Sequence, residues 1–98
     1  MLLADYEIQA LADFAHARGM LLHLDGARLS NAAAASGTSL AAVSTDLGVD
    51  VLSFGGTKNG LMGGEAIVFM NAALAINAGY LRKQATQLAS KMRFIAVQ

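Results

Sequence analysis

The chain has no cysteine, no proline and no tryptophan. Without cysteine there is neither a disulfide framework nor a thiolate metal site. Two histidines, His16 and His23, do not make a zinc site either, so no metal is expected. The missing thiols fit a reducing cytosol, and a cytoplasmic location is expected. Charge is also scarce. Only 14% of residues are charged, against about 25% in ordinary soluble domains. Such a shortage implies that much of the surface is meant to be covered by other protein. The seven basic and seven acidic residues cancel. No basic stripe exists to attract phosphate backbones, which argues against nucleic acid as a partner. No stretch reaches the ~18 uninterrupted apolar residues of a membrane span. Met1-Leu2-Leu3-Ala4 lacks a basic n-region, and Asp5 and Glu7 follow at once, so no signal peptide is expected.

What is present is apolar and alanine-rich. At 55% hydrophobic the chain is not disordered by composition, and 98 residues make one domain at most. Asp5 can cap a first helix whose Ile8, Leu11, Ala12 and Ala15 share a face. Gly19 supplies a stop. Residues 20–24 read as a short buried strand. Arg28 leads into a second helix through the alanine run, stopped at Gly37. Ser39 can cap a third, short helix to about Asp46, ended by Gly48. Residues 49–54 read as a second strand, parallel to the first because a helical crossover joins them. A loop follows with five glycines, Gly55, Gly56, Gly60, Gly63 and Gly64. Residues 65–70 form a third strand, returning antiparallel. Asn71 caps a final helix whose stripe is Leu74, Ala78, Leu81, Ala85, Leu88, Met92 and Ile95.

The expected class is therefore α/β, with two parallel strands, one antiparallel strand and flanking helices. Three such strands leave open edges, which promote aggregation unless paired. The sequence reads as the middle of a larger α/β sheet.

Ligands of open parallel sheets bind beyond the carboxyl ends of the strands. Two candidates fall there. Asp25 ends the first apolar run, and Lys58 sits in the glycine-rich turn after the second. Lys58 is either a solvated loop lysine or, if partly desolvated, an amine able to form a Schiff base. Asp25 is either a cap for the helix beginning near Ala27 or a carboxylate beside a protonated ring nitrogen. Arg28 suits a surface salt bridge, a substrate carboxylate or a phenolate-type oxygen. His23 shares a strand face with Asp25 and reads first as a hydrogen-bonded core histidine. His16 carries no expected role. Ser53 and Thr57 either donate to a phosphate or fix the turn. A P-loop is excluded because Asn59 follows Lys58, and no Gly-x-Ser-x-Gly elbow exists.

His23-Leu24-Asp25-Gly26-Ala27-Arg28, followed by Asp50-Val51-Leu52-Ser53-Phe54-Gly55-Gly56-Thr57-Lys58-Asn59-Gly60, resembles the low-specificity threonine aldolases. These belong to the β-eliminating lyase branch of pyridoxal-phosphate enzymes with the aspartate-aminotransferase fold. Ser90-Lys91-Met92-Arg93-Phe94 resembles the family's helix after the lysine. The resemblance implies that residues 1–98 are the central to carboxyl-terminal part of the large, cofactor-binding domain. It implies that Lys58 carries pyridoxal 5'-phosphate covalently, and that Asp25 pairs with the pyridine nitrogen. Arg28 then lies near the ring oxygen and the substrate carboxylate. The implied reaction is retro-aldol cleavage of a β-hydroxy-α-amino acid, threonine giving glycine and acetaldehyde. Family members are several times longer and complete their sites across a dimer interface. The implied whole protein is thus a homo-oligomer, and negligible activity is expected of these 98 residues alone. Two other readings compete. The Asp25/Lys58 pair would equally serve another lyase, such as one acting on aromatic amino acids, or a racemase. The low charge and open strands would also suit a non-catalytic remnant acting only through protein association.

Overall fold

The computed structural model of the chain describes residues 4–98. Helix α1 spans Asp5–His16. Its cap position is held by Ala4, one residue earlier than expected, and the Glu7 carboxylate accepts the Ala4 N–H at 2.8 Å. Asp5 and Glu7 in the first turn also oppose the positive end of the helix dipole. Ile8, Ala12 and Ala15 are buried, while Leu11, at the edge of that stripe, stays 47% exposed. At the far end Gly19 is left-handed, and the Met20 N–H closes on the Ala15 carbonyl at 3.0 Å.

Strand β1 is His23–Gly26 and strand β2 is Val51–Gly55. They pair in parallel, with Leu24 opposite Leu52 and Asp25 opposite Ser53. Strand β3, Glu65–Phe69, returns antiparallel to β2, with Ser53 opposite Ile67. The order is β1-β2-β3, so β2 is central. Both parallel strands start later and run further than expected, bringing Asp25 inside β1 rather than after it. The α/β class, the parallel pair and the antiparallel return all match the sequence reading.

Helix α2, Leu29–Ser36, fills the start of the crossover and ends at left-handed Gly37. The expected third helix does not form. Residues 40–44 are turns, followed by a single 3-10 turn at Thr45–Leu47. Ser39 does cap the segment, its hydroxyl accepting the Ala42 N–H at 3.1 Å. But Val43, Ser44 and Thr45 are poor helix formers, and the Ser44 hydroxyl donates to the Leu40 carbonyl at 2.6 Å.

Side chains alternate across the sheet. Leu24, Leu52 and Phe54 face α1 and α2; Leu52 belongs to a core with Ile8, Leu29, Ala33, Val43 and Val49, and Leu24 and Phe54 pack against it. His23, Asp25, Ser53 and Ile67 lie on the opposite face. On that face His23, Asp25 and Ile67 are exposed, Ile67 at 65%.

The long final helix is also overturned. Asn71 caps as expected, its side chain accepting the Ala73 N–H at 2.9 Å. Beyond the cap the chain forms a 3-10 turn at Ala72–Ala75, helix α3 at Ala78–Gln84 and helix α4 at Arg93–Ala96. Thr86 and Lys91 interrupt the path, each with φ of 57°. The apolar stripe remains exposed, at 60% for Leu81 and 48% for Leu88. Helices of this length gain their stability mostly from packing an apolar face. With that face unpacked, propensity alone does not hold one continuous helix.

A hydrogen-bonded contact unforeseen in the sequence ties α1 to the start of β2. Asp50 Oδ2 accepts from His16 Nε2 at 2.8 Å and from the Leu22 N–H at 2.7 Å. The Leu22 N–H bond, then the His16 side chain, hold the Asp50 carboxyl below its ordinary value. A depressed carboxylate stabilises the fold above its unfolded pKa, roughly 4, and loses that contribution as pH falls through the folded value. Asp50→Asn keeps an acceptor for Leu22 but removes the charge. The thermal midpoints of parent and variant are expected to differ at neutral pH and to converge as the medium is acidified. Parallel curves across the titration would count against this linkage.

Candidate active site

The site grows from the carboxyl ends of β1 and β2. After β1 the chain turns at once, and Asp25 Oδ1 accepts the Ala27 N–H at 3.1 Å. This is an Asx-type turn. Asp25 therefore caps the turn and not α2, whose flanking residue is Arg28. The Arg28 carbonyl accepts from the Asn31 and Ala32 N–H groups, each at 3.1 Å, and starts that helix. The side chains of Asp25 and Arg28 are both exposed. The surface salt bridge considered for Arg28 is absent among the described residues, where the one close contact between a basic and an acidic side chain is His16–Asp50.

After β2 the chain forms a 3-10 turn, Thr57–Asn59, closed by left-handed Gly60. Lys58 sits on it and is exposed. Partial desolvation, one expectation for this lysine, is not supplied by the described residues. The base of the glycine loop is fastened. Both Gly56 and Thr57 donate their N–H to the Gly64 carbonyl at 3.1 Å. The Gly64 N–H returns to Thr57 Oγ1 at 3.1 Å, and Glu65 Oε2 accepts the Gly56 N–H at 3.2 Å. Thr57 thus fixes the turn.

The two turns touch. A Cβ on Gly55 would collide with the Ala27 carbonyl oxygen and lie 2.9 Å from its Cα. Only glycine permits this approach. The Asn59 side-chain amide donates to the Ala27 carbonyl at 3.4 Å and to the Gly55 carbonyl. The sequence assigns Asn59 no role of its own. No periodicity marks it, because its partner lies 32 residues away. On the open face of the sheet, His23 Nε2 and Ser53 Oγ are 2.8 Å apart. His23 is hydrogen-bonded as expected, but exposed and not in the core.

The result is a carboxylate near the end of β1 and an amine on the turn that follows β2, the neighbouring parallel strand, with a guanidinium three residues beyond the acid. Among the described residues no group of three His, Asp or Glu side chains could hold a metal ion, and no helix is long and apolar enough to cross a membrane.

Sequence comparison defines the class. The chain belongs to the β-eliminating lyase family, whose model matches residues 3–97. Within it, the chain is similar to the low specificity L-threonine aldolase of Pseudomonas aeruginosa, 56% identical over 90 residues. It is also 51% identical over 90 residues to the enzyme of that name from another Pseudomonas strain. Each match covers 92% of this chain and 26% of the relative.

Proposed function

We propose that this chain carries the electronic centre of a pyridoxal-phosphate-dependent aldolase, as part of that enzyme's large, cofactor-binding domain. The observation that carries the reading is the placement of Asp25 and the Lys58 turn at the carboxyl ends of adjacent parallel strands. Family membership supports it. The residues fit the cofactor by their chemistry. An exposed amine can bond an aldehyde carbon, and an exposed carboxylate can pair with a ring nitrogen. When bound, pyridoxal phosphate supplies an electron sink for the pair released as a Cα–Cβ bond breaks. Lys58 holds the aldehyde end. Asp25 keeps the proton on the ring nitrogen and so maintains its positive charge. Arg28 offers a planar fork to the ring oxygen or to a substrate carboxylate.

The substrate class is a β-hydroxy-α-amino acid, with threonine cleaved to glycine and acetaldehyde by the whole protein. A homo-oligomeric whole protein working in the cytoplasm is part of the same reading. The exposure of Ile67, an apolar side chain on β3, supports its being covered by further protein.

Borohydride reduction in the presence of pyridoxal phosphate tests the assignment. After digestion, mass spectrometry is expected to find the pyridoxyl group on Lys58 in preference to Lys83 and Lys91. Even labelling of the three lysines would sink it.

A further inference from the structure

We propose that Asn59 is a positioning residue that holds the Asp25 turn against the Lys58 turn. The proposal rests on the cofactor-binding roles of Asp25 and Lys58. Three observations converge. First, Asn59 shares the single 3-10 turn with Lys58, so restraining one restrains where the other leaves the backbone. Second, its amide donates across the strand boundary to Ala27, two residues beyond Asp25, and also to Gly55 at the end of β2. An NH₂ group has two hydrogens, and two carbonyls from two different turns accept them. Third, the backbones of Ala27 and Gly55 are already in contact, because residue 55 has no Cβ. The glycine permits the approach, and the amide latches it. Asp25 in turn is joined to the latched segment through the Ala27 N–H.

The latch matters because the two functional groups are fixed by different strands. The β1–β2 ladder sets their separation along the sheet. It does not set the path of either turn beyond the last paired residues, Gly26 and Phe54. A single cofactor must reach both groups at once. Misplacement by about 1 Å in such a constellation can cost on the order of 100-fold in rate. Serine or alanine at 59 could not span both carbonyls. Aspartate has nearly the same shape but sets a carboxylate against two carbonyl oxygens.

The test uses the whole protein containing this chain, with the variants Asn59→Asp and Asn59→Ala. Without cofactor, amide exchange of a peptide covering residues 26–30 is expected to quicken by at least about 10-fold. A peptide covering β3 is expected to be unchanged. With pyridoxal phosphate, Lys58 is still expected to take the borohydride-fixed label. The pH midpoint of the visible absorption band is expected to shift by about one unit, because the ring nitrogen is no longer well placed against Asp25. A role confined to stability would lower the melting temperature and leave that midpoint in place. Unchanged exchange at residues 26–30, or an unmoved midpoint in both variants, overturns the proposal. If the parent protein itself takes no label on Lys58, the cofactor reading fails instead. The exchange comparison still decides whether Asn59 joins the two turns, and should one variant not fold, the other carries the test.

Discussion

Lys58→Ala in the whole protein is expected to lower acetaldehyde release from threonine by several orders of magnitude, as loss of a covalent catalytic group does elsewhere. Lys58→Arg is expected to do no better. The pairing of variants separates two roles. If Lys58 acted through its charge alone, arginine would preserve much of the rate, since it is always protonated and reaches as far. If it acts by bonding the aldehyde carbon, arginine fails, because a delocalised guanidinium is a poor nucleophile at neutral pH. The position suits the second role. Lys58 stands on a turn held by the Thr57–Gly64 bonds and by Gly60, and its side chain is free in solvent. The measurement is a coupled acetaldehyde assay on parent and variants, with folding checked by circular dichroism. Substantial activity in Lys58→Arg would remove Lys58 from its covalent role.

Gly55→Ala is the second large effect expected. At this glycine the three nearest atoms all belong to the Ala27 backbone, and none is a side chain that can swing aside. The added methyl would strike the Ala27 carbonyl oxygen, with the Ala27 Cα at 2.9 Å and its carbonyl carbon at 3.0 Å. Overpacking of this kind typically costs about 1–3 kcal/mol, and here relief requires moving the end of β1 away from β2. The Asn59 latch would be stretched in the same movement. A lower denaturant midpoint is therefore expected, together with loss of cofactor uptake beyond what the stability change explains. Full stability in Gly55→Ala would show that the two turns are not in contact.

The parts of the fold legible in the sequence were those set by local pattern. Ile8, Ala12 and Ala15 announce one helix face, and Gly19 and Gly37 announce where helices stop. The parallel pairing of β1 and β2 followed from the length of the crossover, and the return of β3 from the shortness of its loop. Failures occurred where local pattern needs a partner. The stripe from Leu74 to Ile95 has helical spacing, yet spacing predicts a helix only where something covers it. Residues 39–46 begin with a working cap and then lack the propensity to continue.

At the site, Asp25, Arg28 and Lys58 could be nominated because acids, bases and glycines at strand ends are few. The contacts that fasten them could not. Asn59 to Ala27 and His16 to Asp50 join residues 32 and 34 apart, and nothing in either local segment encodes the other. His23, read first as a core histidine, is exposed for a related reason. Which face of a strand is covered depends on the elements packed there, and α1 and α2 both chose the face of Leu24 and Leu52.

The parallel pairing has an entropic consequence. Joining β1 to β2 closes a loop of residues 27–50, whereas joining β2 to β3 closes only residues 56–64. By the logarithmic dependence of closure on length, the first costs about 1 kcal/mol more. The hairpin that carries Lys58 is thus the easier structure to make, and the addition of Asp25 to it the harder. A small molecule gripping both residues binds only the joined form. Such a ligand would act as a brace, and would raise the apparent stability of that pairing with the logarithm of its concentration above its dissociation constant.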